Sequence, residues 1–139
     1  VTDSSGVAIP MTRSSGGVYR YRISAVGLTP VTALSGGTST SFANISLATL
    51  IPTTARLVTL YSICENSSTT APGQAQYRTD GDSGGYIEQG VAVADASNNY
   101  RGVQIFDIEH ASRVIEYRRN NSAGYASITV NTYVFGWVE

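Results

Sequence analysis

The chain contains no lysine; all nine of its basic residues are arginine. This excludes Schiff-base chemistry on a lysine amine, Ser–Lys dyads and a lysine phosphate anchor. A single cysteine, Cys64, excludes an intrachain disulfide and a cysteine-based zinc site. Cys64 sits in an apolar stretch, so it reads as a small buried hydrophobe rather than a reactive thiol. Charged residues make up only 14% of the chain, the net charge is −1, and the basic residues form no cluster. Nucleic acid is therefore not an expected partner. No stretch approaches the roughly 20 apolar residues of a membrane span, so no membrane insertion is expected. No signal-peptide pattern is present, and no cofactor is expected.

What the chain has is Ser, Thr, Asn and Gly as its polar surface, a composition common in extracellular and virion β-proteins. At 139 residues and 42% hydrophobic content it suits one domain with one core. It opens on Val1 and is expected to be part of a longer protein. Residues 1–17 are rich in Ser and Gly and read as a flexible or edge segment; residues 18–139 read as a single β-sandwich domain.

The pattern is strands throughout. Residues 17–26 alternate, with Tyr19, Tyr21, Ile23 and Ala25 on one face and Arg20, Arg22 and Ser24 on the other. Residues 41–50 read as a short strand with Ile45 and Leu47 inward, broken by Pro52. Residues 56–64 are apolar on both faces and read as a central strand covered on both sides. Further strands are expected at 74–78, 86–94, 100–108, 112–118 and 125–138, the last with a bulge near Asn131 where the alternation changes phase. About eight short antiparallel strands and no amphipathic helix give an all-β, antiparallel, jelly-roll-like β-sandwich. Sequons occur at Asn44, Asn66 and Asn120; in a Ser/Thr-rich chain they carry little weight.

The run Asp80-Gly81-Asp82-Ser83-Gly84-Gly85 spells a nucleophile motif. A serine nucleophile needs a base, and the only histidine is His110, downstream. That removes the trypsin-like order, in which His and Asp precede Ser. The order Ser83, Asp107, His110 fits an α/β-hydrolase, but the elbow needs a strand turning into a helix, and β-forming residues follow Ser83. The spacing from Ser83 to Asp107 is too short for the sheet and crossover helices of a Gly-Asp-Ser esterase. Asp80 and Asp82 begin like a calcium loop, yet the twelfth position is Val91 and no helices flank it, leaving only a weak calcium candidate. The favoured reading is a hairpin turn at Asp80-Gly81.

Two stretches resemble a known family. Leu50-Ile51-Pro52-Thr53-Thr54-Ala55-Arg56-Leu57-Val58-Thr59-Leu60 resembles a segment of the C-terminal domains of bacteriophage tail fibres and tailspikes. Residues 112–118, with Ile128-Thr129-Val130 and the closing Gly136-Trp137, resemble the end of the same domains. The resemblance covers roughly residues 45–139. It implies a homotrimeric β-sandwich tip that caps the stalk and recognises host-surface polysaccharide, located in the virion tail after assembly in the bacterial cytoplasm. It transfers no catalytic residues, so no enzymatic activity is expected.

On turns, where β scaffolds carry function, the candidate ligand-binding residues are Tyr77, Arg78, Asp80, Asp82 and Tyr86 around the hairpin, and Asn98, Asn99, Tyr100 and Arg101 at the next turn. Tyr19, Tyr21, Tyr61 and Trp137 are in phase with strand interiors and read as packing residues. Two alternatives stand beside the tail-fibre reading: a carbohydrate-binding module of a secreted bacterial enzyme, and a serine hydrolase using Ser83.

Overall fold

The computed structural model describes residues 31–95 and 98–139, together with the backbone of two short strands before them. Among the described residues ten strands follow in order: β1 (Met11–Arg13), β2 (Val18–Tyr21), β3 (Val31–Gly37), β4 (Ala43–Ser46), β5 (Leu57–Asn66), β6 (Gly73–Thr79), β7 (Ile87–Val91), β8 (Tyr100–Glu109), β9 (Val114–Arg119) and β10 (Ile128–Val138). The all-β, antiparallel expectation holds.

The last eight strands pair as a single folded-back ribbon. β6 pairs with β7, β5 with β8, β4 with β9 and β3 with β10, all antiparallel. Rolling that ribbon brings β10 beside β5 and β9 beside β6. One sheet then reads β3-β10-β5-β8, the other β4-β9-β6-β7. This nesting is the jelly roll, in which two Greek keys form two packed sheets. β2 pairs with the closing end of β10, on the same side as β3, and β1 pairs with β2.

Sequence expectation and structure differ at particular strands. β3 is absent from the expected list, because Val31-Thr32-Ala33-Leu34-Ser35-Gly36-Gly37 is small and Gly-rich; pairing with β10 makes it a strand. The expected flexible segment contains β1, which lies at a sheet edge; residues 1–10 and 14–17, and the expected strand continuation at 22–26, fall outside the described residues. β5 is central, as expected, but it is not covered on both sides. Val58, Leu60, Ser62, Cys64 and Asn66 are fully buried, whereas Tyr61, Ile63 and Glu65 on the outer face are half-buried.

β10 does break register near Asn131, against β3. The change of facing comes later, however. Ile128, Val130, Thr132 and Val134 all point inward, and a second irregularity between Val134 and Gly136 turns Trp137 into the core. Tyr133 and Phe135 lie on the half-buried outer face.

The core joins the sheets through Ile45, Leu47, Leu60, Ile115, Ile128 and Val134. Tyr77 from the second sheet reaches across it. Its hydroxyl bonds Ser62 Oγ at 2.5 Å and Thr132 Oγ1 at 2.9 Å, both from the first sheet. Burial pushes this phenol's pKa well up, the two hydroxyl partners pulling the other way. Asn66, fully buried, donates to the carbonyls of Ala71 and Ala92 at 2.9 Å each and accepts from Ser68 N–H at 2.9 Å. Its amide is a structural latch, which disposes of that sequon. Gly73 is fixed by space, since a Cβ there would collide with Ile128.

Candidate functional site

The β6–β7 connection is the hairpin expected at Asp80-Gly81. Asp82 N–H donates to the Thr79 carbonyl at 3.0 Å, closing a turn around those two residues. Gly81 has φ +75° while Asp80 is not left-handed, so the turn lacks the double positive φ of type I′. The loop is also longer than a two-residue hairpin, because β7 begins only at Ile87. Asp82 Oδ1 accepts the Gly84 N–H at 2.7 Å, and this Asx contact shapes the second half of the loop.

This loop walls an open cavity of about 260 Å³. Arg78, Thr79, Asp82, Gly85 and Tyr86 line it, with Tyr77, Ile87 and Ile108 as its apolar part. Three of the sequence candidates, Arg78, Asp82 and Tyr86, therefore meet at one place. Tyr86 is 49% exposed, which leaves a flat aromatic face in solvent. Tyr77 is fully buried, so its hydroxyl is spent inside the core and it leaves the group of direct contacts. Asp80 is half-buried in the loop and does not line the cavity.

Alternation places the site against the outer face of the second sheet. Ala75, Tyr77, Ile115 and Tyr117 point inward, so Gln74, Gln76, Arg78, Glu116 and Arg118 point out. Cross-strand partners then bond each other. Arg78 Nε donates to Glu116 Oε2 at 2.6 Å, and Arg118 Nε to Gln76 Oε1 at 2.6 Å. Gln76 Nε2 donates to Gln74 Oε1 and Glu88 Oε1, both at 3.1 Å, and Asn120 Nδ2 to Gln74 Oε1 at 2.6 Å.

Phe42, just before β4, covers the two cations. The Arg78 and Arg118 guanidinium carbons lie 3.8 and 4.4 Å from its ring centroid. Tyr86 sits 6.3 Å from Phe42, centroid to centroid, with Arg118 also 5.8 Å from the Tyr86 ring. Phe42, Gln76, Glu116 and Arg118 were not among the sequence candidates. Strand alternation could have put the last three on one face, and the expected strand at 41–50, with Ile45 and Leu47 inward, would have put Phe42 outward; no local pattern shows that it meets Arg78 and Arg118.

The second candidate group does not join the first. Asn98, Asn99, Tyr100 and Arg101 are all exposed, at the start of β8. Thr79 Oγ1 bonds the Glu109 carbonyl at 2.9 Å, so the hairpin loop lies at the other end of that strand. Ten extended residues separate the two places by roughly 30 Å. Arg101 is engaged with Glu65 at 2.6 Å, and Asn98 N–H with Asp95 Oδ1 at 2.8 Å.

Strand β7 follows Ser83, with no helix. His110 Nδ1 accepts the Arg113 N–H at 3.1 Å, within a turn where Ser112 and Arg113 take positive φ. Burial lowers the His110 pKa, the Ala55 backbone opposes this, and the charge of Arg113 adds to the lowering. Among the described residues no three carboxylate, imidazole or thiol groups gather as metal ligands, so Asp80 and Asp82 acquire no third partner. Cys64 is fully buried and its thiol is pushed up to about 12, by desolvation against a hydrogen bond with Ser62.

No protein-family model and no curated protein sequence matches this chain.

Proposed function

We propose that this jelly roll is a non-catalytic module that recognises neutral polysaccharide at the cavity beside residues 80–86. The observation that carries this reading is the convergence of Arg78, Asp82 and Tyr86 on one open cavity, buttressed by Phe42. The cavity lies just under the roughly 300 Å³ at which drug-sized pockets begin, a size for one sugar ring of a longer chain. The Tyr86 face offers stacking to that ring, while Arg78 and Asp82 offer a donor and an acceptor to hydroxyls. The charges favour a neutral ligand. Arg78 is already paired with Glu116, and Asp80, Asp82 and Glu88 stand close in sequence to the site.

In this reading the nucleophile motif does not catalyse. The amide following a nucleophilic serine normally serves the oxyanion hole; here Gly84 N–H is committed to Asp82. The tail-fibre resemblance supplies the biological setting: a tip domain displayed on a phage tail fibre or tailspike, meeting host-surface glycan.

A glycan array probed with the intact chain and with Tyr86→Ala tests the proposal. The expected result is binding to neutral polysaccharide fragments that Tyr86→Ala reduces by about tenfold or more, in line with loss of one stacked ring. Silence of the folded wild-type chain across a broad array would reassign the domain to a structural cap.

A further inference from the structure

The first sheet ends on β8, an edge whose guarding charges, Arg101, Asp107 and Glu109, stand towards its two ends and leave its middle unguarded. Short length, lysine, proline and bulges are the usual guards. β8 is ten residues long, contains neither proline nor lysine, and pairs with β5 at ten successive positions without a register shift. The edge strands of the second sheet are shorter, four residues for β4 and five for β7. At the far side of the first sheet, β3 follows β10 through a broken register. Among the described residues no strand pairs with the free side of β8.

The outward face of β8 is apolar in its middle and charged towards both ends. Arg101, Val103, Ile105 and Asp107 alternate along it, all exposed, with Val103 and Ile105 each 55% exposed. The apolar surface continues onto β5, where Ile63 stands opposite Val103 and Tyr61 opposite Ile105. Arg101 is braced by Glu65, and Asp107 accepts from Thr59 Oγ1 at 2.5 Å, so neighbouring β5 residues hold both charges.

We infer that β8 pairs antiparallel with β8 of a second copy of this chain, about a two-fold axis at Gln104, joining two first sheets into one. An axis normal to the sheet keeps outward faces on the same side, so opposed residues are both outward or both inward. With the axis at Gln104, Val103 opposes the partner's Ile105 and Arg101 opposes the partner's Asp107. Moving the axis to Val103 sets Arg101 against the partner's Ile105. Moving it to Ile105 sets Val103 against the partner's Asp107. Only the Gln104 register matches apolar with apolar and cation with anion, which is the self-complementarity an isologous contact requires. The association is two-fold, unlike the three-fold assembly expected from the tail-fibre resemblance.

Sedimentation equilibrium of the intact chain tests the assembly, and three variants test its register. The expected result is a species of twice the chain mass. Arg101→Asp and Asp107→Arg should each weaken it about tenfold or more, and combining them should restore it, because the swapped charges again meet opposite signs. Circular dichroism checks that each variant is folded. Gln104→Cys, which meets its own copy across the axis, should give a disulfide-linked dimer on mild oxidation, whereas Val103→Cys should not. Native Cys64 is buried and does not interfere. A folded chain that stays monomeric at high concentration, a trimeric mass, or cross-linking through Val103→Cys but not Gln104→Cys would overturn the inference.

Discussion

The Arg78 guanidinium carbon lies 3.8 Å from the centroid of the Phe42 ring. The same guanidinium holds Glu116 through Nε at 2.6 Å, so one side chain ties a residue outside the strands to the middle of the second sheet. Phe42→Ala removes the ring and leaves the ion pair. Given the 0.5–2 kcal/mol typical of a cation–π contact, glycan affinity is expected to fall by about twofold to thirtyfold. Isothermal titration against a ligand found on the array measures it; unchanged affinity would place Phe42 outside the site.

Arg78→Ala acts differently, because Glu116 is only 9% exposed and would be left buried without its cation. The expected loss of stability is about 1–3 kcal/mol, larger than for the double variant Arg78→Ala/Glu116→Ala. A double-mutant cycle in urea reads this coupling. A loss in the double variant equal to the sum of the Arg78→Ala and Glu116→Ala losses would show that the pair contributes nothing.

Tyr77→Phe keeps the ring and removes the hydroxyl that joins Ser62 to Thr132. All three residues are fully buried, so two hydroxyls lose a partner where water does not replace it. Stability should fall by about 1–3 kcal/mol, visible as a lower urea midpoint with the slope unchanged.

Stability should also fall on acidification through His110. Its folded pKa lies below the ordinary value near 6.5, so between the two values the unfolded chain binds more protons than the folded one. The His110 contribution is therefore complete above about pH 6.5 and declines as pH drops below it. Comparing unfolding midpoints across that range for the wild type and His110→Asn isolates the contribution; parallel pH profiles would contradict it.

A fluorophosphonate probe should leave Ser83 unlabelled, since Gly84 N–H is occupied by Asp82 and His110 Nδ1 by Arg113 N–H. Labelling abolished by Ser83→Ala would restore the hydrolase reading. A thiol reagent should likewise spare Cys64 in the folded chain, its thiol pushed up to about 12, and react at the rate of unfolding.

Alternation and turn chemistry were legible without coordinates. They placed Ile45 and Leu47 inward, put a hairpin at Asp80-Gly81, and grouped Arg78, Asp82 and Tyr86 near one another. Each depends on residues close in the chain, where local sterics and a two-residue period suffice. Tyr77 was misread as a surface contact because closeness to a turn does not reveal which face a strand buries. Only the packing of a second sheet did so, by bringing Ser62 and Thr132 to its hydroxyl.

The sequence by itself determined the strand character, the hairpin and the absence of lysine and disulfide chemistry, all of which follow from residue type and short spacing. Tertiary structure alone decided that β3 is a strand, that Phe42 roofs two arginines, and that Asn98 to Arg101 stand at the opposite end from the cavity. These are consequences of rolling the ribbon, which joins residues far apart in the chain through pairings no local pattern encodes.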